Sequence, residues 1–383
     1  MNKAVYVLAA ALAASVAGGA RAADSFDRVL TEKLGVQAEV SHVFSPYEVS
    51  RAIGLLADGM DNREVRMALG ERMGLMSTEF GVAFARLNEE FETWALSNGV
   101  KMASSMSLWL RNYSRVDNGF HVAARRNYGM LFGPLQRPES VNALTSVRTD
   151  GMVENVLEDF GADCNAVLVS AVGFNGVWER PFPAAVDGVF HAAGGDAPAK
   201  MLKDLRRLRA LKRPDYTAFA LPYRGGTLQL YVFLPEAGRK PADLWPRLTE
   251  EEFDVVDRAL LADYHPLDSM GDPMPRPEGT TYAATRLVMP EFRVDSAIDL
   301  KPLLAELNIP LDGFSAVCKD MVLGIVRHRT VFAVSRMGAE IVPSPSPEEA
   351  EGEVRDIVCD RPFAFVVRTA KRRSLIVGQY VGR

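Results

Sequence analysis

Five histidines, His42, His121, His191, His265 and His328, are scattered through this 383-residue chain, with none at metal-ligand spacing. The chain has no Gly-x-Ser-x-Gly elbow, no His-Glu-x-x-His helix, no Cys-x-x-Cys pair and no glycine-rich phosphate cradle. Motifs therefore nominate no catalytic residues, no metal ligands and no cofactor site. A triad assembled from distant residues is the one enzymatic arrangement that motifs alone leave open. The three cysteines, Cys164, Cys318 and Cys359, are odd in number and far apart. They read as small, partly buried hydrophobes and permit at most one bridge. Asn112-Tyr113-Ser114 is a glycosylation sequon with Asn112 as acceptor.

Composition narrows the partners. The chain is 48% hydrophobic and 24% charged, which allows a large core, and its formal net charge is −5. An acidic balance argues against nucleic acid or an anionic membrane surface. At the N-terminus Lys3 precedes an apolar run from Ala4 to Val16, a Gly18-Gly19 break and Ala20-Arg21-Ala22. That order predicts a secretory signal peptide over residues 1–22, hence a secreted, extracellular protein. The run falls short of the about 20 residues a membrane span requires.

The elements that must position any site are mixed in kind. Helical periodicity is expected at Pro46–Leu56, Asn62–Leu69, Phe80–Leu96, Val116–Tyr128 and Val141–Leu157. Further helices are expected at Pro241–Arg247, Glu250–Leu261 and Leu300–Leu307. Strand-like runs lie at Ser105–Leu110, Val167–Phe174, Thr217–Leu221, Thr227–Leu234, Arg286–Met289 and Phe363–Val367. Without strict βαβ alternation, this reads as an α+β fold with no dividing linker. Loops are expected at Asp268–Gly279 and Pro343–Arg355.

Five stretches, in order, resemble the serpin family. They are Phe44-Ser45-Pro46 with its two helices; Val141-Asn142 with Gly151–Leu157; and LVSAVGFNGVWERPF from Leu168 to Phe182. Leu221-Pro222-Tyr223 with Phe233-Leu234-Pro235, and Asp360 to Gly378, complete the series. The resemblance implies one domain over residues 23–383, with three β-sheets, eight or nine helices and an exposed reactive loop at about 338–359. In such proteins a protease attacks the loop, which then inserts as a new central strand and traps the acyl-enzyme. The inhibitor supplies bait and a metastable fold rather than catalytic groups.

Within that loop, Gly338, Ala339 and Glu340 match the family's hinge, and Ile341, Val342, Pro343, Pro345 and Pro347 follow. Counting from the hinge places the scissile bond at Gly352-Glu353; counting back from Arg361-Pro362-Phe363 places it at Glu351-Gly352. Glu351 or Gly352 is then the bait, with Arg355 as the alternative. An inserted strand needs its N–H groups, and three prolines at alternate positions withdraw three of them toward one neighbour. The residues from Glu348 to Asp356 also read simply as an acidic, extended, solvated segment.

The resemblance also places Trp178 in the breach at the top of the central sheet. Ser45 and His328 fall in a polar cluster beneath it, where Glu48 and Ser170 replace the usual serine and asparagine. Glu48 can pair with His328 or face solvent on the first helical turn. The expected protein is a secreted, non-enzymatic monomer that binds an extracellular protease or another secreted or cell-surface protein, with suicide inhibition weakened by the hinge. A working inhibitor of a serine or cysteine protease is the alternative.

Overall fold

The structure is a computed structural model that describes residues 26–34, 40–75, 80–86, 101–268, 270–336 and 354–382. The expected leader and the loop residues Gly338 to Glu353 lie outside the described residues.

The helices are α1 (26–34), α2 (Pro46–Gly59), α3 (Arg63–Arg72), α4 (80–86) and α5 (Asn118–Tyr128). They are followed by α6 (Pro138–Arg148), α7 (Glu250–Leu260) and α8 (Lys301–Glu306). Strands β1 (His42–Phe44), β2 (Lys101–Leu110), β3 (Leu131–Pro134) and β4 (Ala166–Asn175) are interleaved with the early helices. Next come β5 (Ala184–Ala192), β6 (Gly195–Lys212), β7 (Tyr216–Pro222) and β8 (Leu228–Pro235). The last six are β9 (Thr280–Pro290), β10 (Phe292–Asp299), β11 (Leu323–Val334), β12 (Arg355–Val358), β13 (Phe363–Thr369) and β14 (Ser374–Tyr380).

One sheet has five strands in the order β10-β11-β4-β2-β3. The other strands run β1-β14-β13-β8-β7-β6-β9-β12, with β5 on β6. The 18-residue β6 joins what are in effect two sheets. Its end from Ala210 to Lys212 pairs with β7, while Met201 to Leu211 pairs with β9 and its start with β5. The three-sheet α+β expectation is met in this way.

Strand β4 shows why the chain folds here. Nearly every side chain is buried, so the strand must be covered on both faces. Val167 and Val169 pack with Trp109, Val141, Val156 and Leu157 under α6. Leu168, Val172 and Phe174 join the main core, which includes Val49, Ile53 and Leu56 of α2. Strand alternation accounts for the division.

Two expected helices are corrected. The helix expected at Val141–Leu157 stops at Arg148, where Thr149 caps the chain. Asp150 and Gly151 then take φ of 51° and 75°, which no helix continues through. Pro241–Arg247 forms two separate 3-10 turns, Pro241–Asp243 and Trp245–Arg247, because Pro246 has no N–H to extend a single helix. Of Phe80–Leu96, the described part, 80–86, is helical.

Candidate functional site

In the five-stranded sheet β3 pairs in parallel with β2 at one edge, and β4 and β11 pair in parallel along the middle. The pairing runs from Ala166 opposite Leu323 to Phe174 opposite Phe332. The two strands are hydrogen-bonded directly to each other, with no strand between them.

Midway along this seam Ser170 lies opposite His328. Both are fully enclosed, at 1% and 0% exposure. His328 Nδ1 is 3.1 Å from Ser170 Oγ. Its Nε2 accepts the backbone N–H of Ser45 at 3.1 Å and lies 2.8 Å from Thr330 Oγ1. An amide N–H can meet only an unprotonated ring nitrogen, so Nδ1 carries the proton and His328 is neutral. Burial in this network pulls its pKa down to about 3. Ser45 continues the network. Its hydroxyl donates to the Leu375 carbonyl at 2.7 Å and accepts the Glu48 N–H at 3.2 Å, capping α2. Ser45, Ser170 and His328 are thus brought together. Thr330 was not nominated, although a threonine two residues beyond His328 falls on the same strand face.

Glu48 takes neither role expected of it. It is buried at 1% exposure and pairs with Arg51, itself only 6% exposed. The Arg51 guanidinium also donates to the carbonyl of Tyr128, the last residue of α5, and lies over the Tyr47 ring. A carboxylate in the first turn of a buried helix needs a counter-charge, and i,i+3 spacing supplies one. Arg51 could have been found from that spacing.

At the upper end of the seam Trp178 is buried and stacks on Tyr223, with centroids 4.5 Å apart and planes 9° from parallel. Its indole N–H donates to the Ser335 carbonyl at 2.8 Å. The amide of Phe182 donates to the Arg336 carbonyl at 3.0 Å, and the Arg336 amide donates to Glu291 Oε1 at 2.8 Å. The exit of β11 is therefore clamped just before the hinge segment begins.

The chain re-enters the described residues at Val354, and Arg355 opens β12, paired with β9 opposite Thr285. Its Nε donates to Thr285 Oγ1 at 2.7 Å and its Nη2 to the Leu208 carbonyl at 2.6 Å. Desolvation moves its pKa below the ordinary arginine value. Among the candidates for bait, Glu351, Gly352 and Glu353 lie outside the described residues, as do all eight hinge residues. Asn112 is exposed at the start of a 3-10 turn, at Tyr113–Arg115. All three cysteines are free thiols, Cys318 and Cys359 buried. Among the described residues there is no group of three or more metal-ligating side chains, and no helix is long and apolar enough to cross a membrane.

Fold and site define an α+β protein of three sheets with a polar network buried under its central parallel pair. A family profile described as "Serpin (serine protease inhibitor)" matches residues 22–382, and the chain belongs to that family. Plasminogen activator inhibitor 1 of Bos taurus is 25% identical over 388 residues, covering 92% of this chain and 89% of that protein. Serine protease inhibitor 42Dd of Drosophila melanogaster is 24% identical over 353 residues, covering 86% and 88%. The structure of native protease nexin-1 with heparin superposes with a TM-score of 0.78 at 19% identity, covering 96% of this chain and 100% of that one.

Proposed function

We propose that this chain is a secreted serpin whose main activity is protein binding, with suicide trapping of proteases impaired by its hinge. The observation that carries this reading is the placement of Pro343, Pro345 and Pro347 in the segment that would have to enter between β4 and β11. Residues at alternate positions of a strand direct their backbone groups to the same neighbour. One edge of the entering strand would therefore lose three donors. Each absent bond forfeits about 0.5–1.5 kcal/mol, and each acceptor left dry costs about 1–3 kcal/mol more. Insertion slows, and a protease given that time completes hydrolysis and leaves. Ile341 and Val342 add bulk where the family's hinges are small.

A second reading, a working trap for an extracellular serine or cysteine protease, draws support from the complete Ser45–His328–Ser170 network and the Trp178 clamp. The curated relatives named as inhibitors favour it too. In either reading the protein acts as a monomer, without catalytic groups of its own and without a cofactor. The leader at residues 1–22 supports export, as does a family match that begins at residue 22. An exposed Asn112 supports glycosylation. The anchored Arg355 side chain favours Glu351 or Gly352 as the residue offered to a protease.

Incubation with a panel of serine and cysteine proteases, followed by denaturing electrophoresis, tests the proposal. Cleavage at Glu351–Glu353 without a stable covalent complex is expected. A complex that survives denaturation with any of the proteases rejects the impaired-trap reading in favour of the second.

A further inference from the structure

Strands β6 and β9 present a solvent-facing surface outside the five-stranded sheet. In their register Arg207 lies opposite Ala284, Arg209 opposite Tyr282, Leu205 opposite Arg286 and Lys203 opposite Val288. Alternation places Lys203, Arg207 and Arg209 on one face of β6, with Tyr282 and Arg286 beside them on β9. Tyr282 is 56% exposed, and two guanidinium groups lie over its ring, Arg209 at 4.7 Å and Arg207 at 5.9 Å from the centroid. Two like charges converge on one exposed ring.

Elsewhere arginines are commonly paired with carboxylates, as in Arg213–Glu252, Arg247–Asp215, Arg329–Asp295 and Arg368–Asp257. Lys203, Arg207 and Arg209 have no carboxylate partner among the described residues. Three unanswered cations in a chain of net charge −5 make a local reversal of sign. The face also carries one example of the anion that suits it. Asp356, on the neighbouring strand β12, answers Arg286 with an Nη1–Oδ1 contact of 2.6 Å. The ligand form already found here is thus a carboxylate projected from an extended strand.

We propose that this face is a docking surface for an extended acidic segment of a partner protein. The reading that the chain acts by binding supplies the need for such a partner; the surface itself stands on its own geometry. Alternate side chains of an extended peptide repeat about every 6.7 Å, the same repeat as Arg207 and Arg209 on β6. Each planar guanidinium can hold a carboxylate through two N–H groups, while the Tyr282 ring supports both arginines from below. β12 adjoins the face through β9, so a protein engaging the loop before β12 would come close to it.

The test uses the full chain and a fluorescein-labelled synthetic peptide of alternating glutamates, with fluorescence anisotropy as readout. A sulfated heparin oligosaccharide is titrated in parallel. The wild-type chain is expected to bind the peptide, and R207E/R209E to weaken binding about tenfold or more. Tyr282→Ala is expected to give a smaller loss, and the reversal Arg63→Glu, at the exposed start of α3, none. R207Q/R209Q gives the same readout with less charge change if the reversed pair folds poorly. Equal peptide binding by wild type and the double variants overturns the proposal, as does binding of the oligosaccharide alone. Neither outcome touches the trapping question, because no protease is present.

Discussion

The guanidinium of Arg51, on α2, is bound to the backbone carbonyl of Tyr128, the last residue of α5. Two residues on from Gly129, the chain enters β3, an edge of the five-stranded sheet. Meanwhile α2 is tied through Ser45 to His328 on β11. Arg51 therefore braces the two halves of the sheet on either side of the β4–β11 seam, and it also places a cation at the negative end of α5.

Arg51→Met is expected to destabilise the protein by about 3–5 kcal/mol, because Glu48 is left charged and buried. Glu48→Ser combined with Arg51→Met should recover most of that loss. Urea unfolding of the three proteins measures both. A single variant as stable as wild type would show that the brace carries no weight.

His328 gives the native state a defined pH dependence. Its folded pKa is depressed to about 3 from an ordinary value of 6.5, so its contribution is complete above about 6.5. It is lost as pH falls toward about 3, at up to about 1.4 kcal/mol per unit. Carboxylates titrate in part of the same range, so the difference between wild type and His328→Gln isolates this group. Unfolding free energies between pH 4 and 7 should show a shallower slope for the variant. Parallel slopes would mean that His328 does not change protonation on unfolding.

Trp178→Phe retains an aromatic ring against Tyr223 but removes the N–H that meets the Ser335 carbonyl. A loss of about 0.5–1.5 kcal/mol is expected, since the indole–carbonyl hydrogen bond is removed. The local signature is faster hydrogen exchange at the amides of Phe182 and Arg336, which are bonded beside it. Unchanged exchange at both amides would show that the indole does not hold the exit of β11.

Much of this was readable in the residues themselves. The β4 run from Val167 to Phe174 is apolar because both faces are covered, except at Ser170, where a polar partner must sit. Strand β6 is hidden for a related reason. The text KDLRRLRALK of β6 alternates, but Asp204 and Arg206 occupy inward positions. They are tolerable there only because they bond each other, with an Nε–Oδ2 distance of 2.7 Å, while Arg206 stacks on Phe182. A pair satisfied internally looks like surface in a pattern of polarity. The end of α6 was missed because its continuation is held from outside: Asn142 receives the amides of Val156 and Leu157 and donates to the Leu157 carbonyl. Amphipathic spacing persists through that segment, although the backbone has left the helix.

The central claim is that the hinge prolines hold back insertion between β4 and β11. Thermal unfolding of the chain before and after cleavage of the loop near Glu351 tests it most directly. With the native hinge, cleavage is expected to leave the unfolding midpoint nearly unchanged. With Pro343, Pro345 and Pro347 all replaced by Ala, cleavage should raise the midpoint sharply, as a new central strand completes its ladder on both sides. A large gain for the native hinge, equal to that of the alanine variant, would contradict the account.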